Sequence, residues 1–183
     1  MASPRAAIYR ITPHPAAPRL RILSHDMGVF DGTLKGPLCP RAPFRGAVTA
    51  PPSPNQFYTL APGVLAISEA AWQDEDMYYC CFESGESLAI TTEHGYFVGM
   101  NVGPVWNSSC ARGVGMMSDA EWRAAFPETG TPNVVRVGLQ PTDLFCISGV
   151  GPEGNQFKYI YERAGYLGLV FELAWQDSGI EAV

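Results

Sequence analysis

Apolar side chains recur at i, i+3, i+4 and i+7 in the stretch Phe157, Ile160, Tyr161 and Ala164, and then at every second position in Leu167, Leu169, Phe171, Leu173 and Trp175. The first period predicts a helix with one buried face; the second predicts a strand with one apolar face. Gly165 stands between them, where a helix C-terminus favours a left-handed residue. Upstream, short runs rich in β-branched and aromatic residues predict strands at Ala6 to Ile11, Phe57 to Leu60, Val64 to Ile67, Asn133 to Val137 and Leu144 to Ile147. The runs MYYCCF, SLAITT and GYFVGMNV, punctuated by Ser84-Gly85 and Glu93-His94-Gly95, read as an antiparallel meander. Two further helix starts are marked by caps. Ser68 precedes EAAWQDE, and Ser118-Asp119-Ala120-Glu121 forms a capping box for a helix ending near Phe126, before Pro127.

Pro13, Pro15 and Pro18 end the first strand, and extended structure resumes at Arg19 to Leu23. Six prolines between Gly36 and Asn55 exclude helix and argue against a central strand, so this segment is expected to be a long wrapping loop, pinned by Phe44 and Val48. The expected fold is therefore α+β: one domain over residues 1–183, with a mostly antiparallel sheet and two or three short helices. Residues 1–56 supply the N-terminal strand and the proline-rich wrap; residues 57–183 supply the main body.

Length and a 46% hydrophobic content are enough to bury a core. No run of eighteen apolar residues occurs, and the first fifteen residues lack a continuous apolar stretch of the secretory type, so a cytoplasmic protein is expected. The five cysteines are an odd number and follow no metal-ligand spacing; reduced thiols fit this pattern. Charge changes the picture more. Residues 1–56 carry seven Lys/Arg against Asp26 and Asp31, a balance of +5, whereas residues 57–183 stand at −11. No lysine or arginine occurs between Arg45 and Arg112, although Glu69, Asp74, Glu75, Asp76, Glu83, Glu86 and Glu93 all fall there. Such a stretch repels phosphate backbones and attracts a basic partner.

Candidate chemistry is sparse. Gly149, Gly151 and Gly154 are spaced as G-x-G-x-x-G after a predicted strand and before a helix, with Glu172 eighteen residues past Gly154. The local requirements of a dinucleotide fingerprint are thus met, but the preceding meander is not a parallel β-α-β series. Nucleotide binding or an enzymatic use of this loop stands as an alternative reading. A regulatory module that docks partners through the proline-rich segment stands as another. His14, His25 and His94 lack paired ligand spacing, and neither a nucleophile elbow nor a P-loop is present. No catalytic set, metal or cofactor is expected. The partner-binding candidates are Trp72, Tyr78 and Tyr79 as aromatic anchors, with Asp74, Glu75, Asp76, Glu83 and Glu86 around them. Aromatic anchors slow dissociation, and surrounding acids steer a basic protein into contact.

The segments LFCIS and NQFKYIYERAGYLGLVFELAW resemble the C-terminal signature of small bacterial immunity proteins of polymorphic-toxin systems. In that signature Phe157, Ala164, Gly165, Gly168, Phe171 and Glu172 occupy the family's places. FYTLAPGVLAISEAAWQ is similar to the family's strand and exposed-serine helix start, and GYFVGMNV to its central strand leading to an asparagine, Asn101. The likeness spans residues 57–175. GPVWNSSCARG departs from the acidic, cysteine-containing segment that often follows the asparagine. The resemblance implies a cytoplasmic, non-enzymatic protein that binds and blocks a cognate toxin.

Overall fold

The computed structural model describes residues 6–23, 44–61, 64–73, 87–101, 105–106, 118, 134–137, 144–149 and 156–177. These form two sheets and two helices. The first sheet contains β1 (Ala7–Pro13), β8 (Val105–Trp106), β9 (Val134–Val137), β10 (Leu144–Ser148) and β11 (Leu169–Gln176), in the order β11-β1-β10-β9-β8. The second contains β2 (Leu20–Ile22), β3 (Phe44–Val48), β4 (Phe57–Ala61), β5 (Val64–Ser68), β6 (Ser87–Thr92) and β7 (Gly95–Asn101), in the order β2-β3-β6-β7-β5-β4. Pairing is antiparallel except for β3 with β6 and β8 with β9. Helix α1 is the single turn Glu69–Trp72, and α2 is Phe157–Arg163. Among the described residues strands predominate, with two helices and mostly antiparallel pairing, in keeping with the expected α+β class, but the strands form two sheets rather than the single one expected.

Strand alternation sorts the second sheet into two faces. Phe57, Leu65, Ile67 and Val98 meet Ile11, Leu144, Cys146 and Leu169 of the first sheet and Phe157, Ile160 and Tyr161 of α2 in one core. Tyr58, Ala66, Ile90 and Phe97 point the other way, into a second core completed by Leu20, Phe44 and Val48. This second face encloses its own core because the sheet curls. Its two edge strands, β2 and β4, bring Cα atoms within 8 Å of each other, yet no ladder joins them.

Phe57 lies at the centre of the first core, with ring centroids 5.8, 5.5 and 5.2 Å from those of Phe157, Tyr161 and Tyr166. Offset and edge-on aromatic pairs of this kind each add about 0.5–1.5 kcal/mol beyond area burial. Helix α2 ends as the sequence predicts. Gly165 has φ +69°, the Gly165 amide donates to Glu162 O and the Tyr166 amide to Tyr161 O. That double bond pattern is the Schellman motif, with the Tyr161–Tyr166 contact as its apolar clasp. Ser68 also caps as expected: its Oγ accepts from the Ala71 amide and donates to Pro54 O.

Three further expectations need correction. The segment from Gly36 to Asn55 is not a wrapping loop throughout, since Phe44–Val48 forms β3, an interior strand between β2 and β6. FRGAV is a proline-free window, long enough for five ladder residues, and Gly46 lets the strand sit against Ile90 and Leu20, where an added Cβ would lie 2.9 and 3.2 Å from their side chains. Phe44 and Val48 do pin the segment, as buried members of the second core. The one-faced alternation of Leu167 to Trp175 also fails. A register shift between Ile8 and Tyr9 pairs Tyr9 with Leu173 and Ile8 with Trp175, so Trp175 turns to the face opposite Leu169 and Phe171. Leu173 and Leu167 are left exposed. Finally, α1 ends at Trp72 with Gln73 as C-cap, a shorter helix than EAAWQDE suggests. The strand MYYCCF and the helix predicted to start after Ser118 lie outside the described residues.

Candidate functional site

Of the predicted partner-binding residues, Trp72 is described and Asp74, Glu75, Asp76, Tyr78, Tyr79, Glu83 and Glu86 lie outside the described residues. Trp72 is half-buried and packs against the first core. It ends α1, whose first turn is fixed by the Ser68 cap and whose Ala71 is buried. At the other end of the acidic stretch, β6 pairs along its length with β7. Both ends of residues 73–86 are therefore attached to the same sheet, β5 and β6 flanking β7.

The glycine loop has a different setting from a dinucleotide site. Strands β10 and β11 are parallel to each other, but β1 runs antiparallel between them and pairs with both. A dinucleotide fold needs neighbouring parallel strands and a helix whose N-terminal amides face the pyrophosphate. Here α2 has seven residues, and the amide of Gly149 donates to Gln156 Oε1 at 2.9 Å. The same oxygen accepts from Ser148 Oγ at 3.1 Å. The buried Gln156 side chain thus closes the end of β10 onto the start of α2 and occupies the first donor that a phosphate would use. Gly151 and Gly154 lie outside the described residues.

A site missed by sequence reasoning lies where β2 meets β4. A cavity of about 270 Å³ opens there, lined by the end of β1, residues Ala17 to Arg21, Phe57 to Leu60, and Gly168. His14, Arg19 and Arg21 are exposed at it, while Leu20 and Tyr58 are buried. Tyr58 is 3% exposed, and its hydroxyl has no hydrogen-bond partner among the described residues. Burial pushes that hydroxyl up to about 12, so it is a neutral donor at physiological pH. Among the described residues no carboxylate lines the cavity. No local sequence signal marks this site, because its walls come from residues some forty and one hundred and fifty positions apart.

Other polar groups have structural partners. Tyr161 Oη accepts from the buried Leu169 amide at 2.9 Å; burial raises this phenol to about 12, partly opposed by that bond. Cys146 is wholly buried, and desolvation drives its thiol well above its ordinary range, leaving it an inert core group. Lys158 pairs with Glu162 one helical turn on and lies 5.0 Å from the centre of the Tyr9 ring. Among the described residues no group of three His, Cys, Asp or Glu side chains is placed to hold a metal. No helix among them is long and apolar enough to cross a membrane.

Comparison with known proteins yields no match. This holds for family models, for curated proteins and for solved structures alike.

Proposed function

We propose that the protein is an immunity-type binding protein that neutralises a cognate toxin by covering its active surface. In this reading Asp74, Glu75, Asp76, Glu83 and Glu86 steer a basic toxin surface into contact, and Trp72, Tyr78 and Tyr79 anchor it. The supporting observation is the one-signed stretch between Arg45 and Arg112, carried between a capped helix turn and a paired strand. A charged segment held at both ends costs less ordering entropy on binding than a free tail. Rim charges mainly raise the association rate, whereas desolvated aromatics set the dissociation rate.

The experiment is co-expression with neighbouring genes that encode candidate secreted toxins, followed by co-purification and kinetics at several salt concentrations. Replacing Asp74, Glu75 and Asp76 together by lysine is expected to lower the association rate about 10- to 100-fold at low salt and to flatten its salt dependence. Absence of a stable complex with any adjacent toxin refutes the reading; unchanged kinetics in the triple variant removes those acids from the interface.

A further inference from the structure

The face of the second sheet that lies opposite its own core is covered on one side only. On β4, β5 and the middle of β7 it is closed, with Phe57, Leu65, Ile67 and Val98 buried between the sheets. On β2, β3, β6 and the start of β7 it is open: Arg21, Arg45, Thr91 and Tyr96 are exposed, while their chain neighbours Leu20, Phe44, Ile90 and Phe97 point into the second core. Register aligns the exposed set across the strands. Tyr96 stands opposite Thr91, Thr91 is paired with Arg45, and the Leu23 amide bonds to Arg45 O. Arg21 stands opposite Ala47, one step along the same face, and Arg19 follows it at the two-residue repeat of a strand. Four strands spaced about 4.8 Å apart make a row about 14 Å long, with a phenol ring at one end and guanidinium groups toward the other. The charge on this row is unanswered. Lys158 pairs with Glu162, and Arg163 lies over the Tyr159 ring, but Arg19, Arg21 and Arg45 have no carboxylate partner among the described residues. Glu93, in the turn at the Tyr96 end, lies 3.6 Å from His94.

We propose that this open row binds single-stranded nucleic acid, with phosphates on Arg19, Arg21 and Arg45 and a base stacked on the exposed Tyr96 ring. Single strands are held where a positively charged track runs beside an exposed aromatic face, and both parts are present here in register. A folded acidic protein would need a desolvated apolar centre to hold it, and on this row the exposed apolar side chain is Leu23 alone. A duplex keeps its bases stacked on one another and so offers no ring face to Tyr96. The chain as a whole carries a surplus of acids, but at physiological salt a charge is felt over about 8 Å, so an anion on the row responds mainly to the arginines beneath it. The inference does not rest on toxin binding.

The test uses the full chain and a fluorescein-labelled oligothymidylate of about fifteen nucleotides, the upper part of the usual site size, read by fluorescence anisotropy. The same oligomer in duplex form, an abasic oligomer of equal length, and phosphatidylserine-containing vesicles serve for comparison. The single strand is expected to bind with a dissociation constant of about 1–100 µM at about 50 mM salt. Three phosphate contacts give a slope of about −2 in log affinity against log salt, so affinity should fall about 20-fold by about 200 mM. Arg19→Ala, Arg21→Ala and Arg45→Ala should each flatten that slope by about 0.7, whereas Arg163→Ala, on α2, should leave it unchanged. Tyr96→Ala should weaken the single strand about five- to a hundredfold without changing the slope, and should not affect the abasic oligomer. All five side chains are exposed, so the variants are expected to fold. Absence of binding at about 50 mM salt overturns the proposal. So does a salt slope unmoved by the three arginine variants, equal affinity for the abasic oligomer or the duplex, or binding to the vesicles without binding to the single strand.

Discussion

Replacing Gly168 by alanine should damage the fold more than any other single methyl addition at a described glycine, and the structure says why. Gly168 has φ +103°, a backbone conformation that costs a side-chain-bearing residue about 1–3 kcal/mol. Steric exclusion adds to this. A Cβ at Gly168 would lie 2.1 Å from both the Phe57 carbonyl oxygen and the Gln56 Nε2, and 3.1 Å from the Phe57 carbonyl carbon. The Gln56 amide can rotate away, but the backbone of Phe57 cannot, since Phe57 is fully buried at the centre of the aromatic cluster. The loop must then retreat by about 1 Å to restore ordinary contact. That retreat pulls on the His14 amide bond to Gly168 O and the Phe57 amide bond to Leu167 O, at 2.9 and 2.8 Å. Each loss costs about 1 kcal/mol, more where the amide is left buried. The total is about 3–6 kcal/mol, set against a typical stability of about 5–15 kcal/mol.

Gly165→Ala supplies the internal control. It shares the positive φ, at +69°, but an added Cβ there has nothing within 4 Å, so it should cost only about 1–2 kcal/mol. Urea unfolding followed by tryptophan fluorescence measures both, with the m-value checked for constancy. If Gly168→Ala costs no more than Gly165→Ala, the close approach to Phe57 is not a constraint on the fold and the packing of this junction is wrong. If Gly168→Ala cannot be purified folded while Gly165→Ala can, the difference stands in the expected direction.

The buried phenols make a pH prediction. Tyr58 and Tyr161 titrate near 12 in the folded chain and near 10 when unfolded, so between those values the unfolded state loses protons first and stability falls as pH rises. The contribution is fully present below about pH 10 and amounts to about 2–3 kcal/mol per tyrosine; urea midpoints flat to about pH 9 and falling steeply above 10 are expected, and a flat profile to pH 12 refutes it. Tyr161→Phe strips the Leu169 amide of its acceptor at 2.9 Å and should destabilise by about 1–3 kcal/mol, the cost of an unpaired buried donor. Tyr58→Phe, whose hydroxyl has no partner, should not destabilise, so equal urea midpoints for the two variants would contradict the assigned hydrogen bonding.

What could be read in the sequence follows from how local each signal is. The α2 face, its Gly165 stop and the Ser68 cap each depend on residues within about one or two turns; the stop and the cap are present as predicted, and Phe157, Ile160 and Tyr161 of the face are buried, while Ala164, the C-cap, is exposed. Gly168 was placed by resemblance alone; its reason, the backbone of Phe57 pressed against it, joins positions more than a hundred residues apart. β3 was hidden because the prolines around FRGAV dominate any window larger than five residues. Phe57 and Tyr58 read as one apolar run because both faces of β4 are buried, the first in the inter-sheet core and the second in the curled sheet's own core. Period-two alternation cannot identify a face when neither side is solvent. The bulge that turns Trp175 was equally silent, since the sequence keeps its period-two alternation from Leu167 to Trp175 straight through the register shift. The seam cavity shows the same limit in its strongest form. It exists because the end of β1, the β2 strand and β4 converge once the sheet curls, and curling is a property of six strands together. The acidic stretch lies at the other extreme: its charge is legible residue by residue, because a count of charges needs no knowledge of what packs beside them.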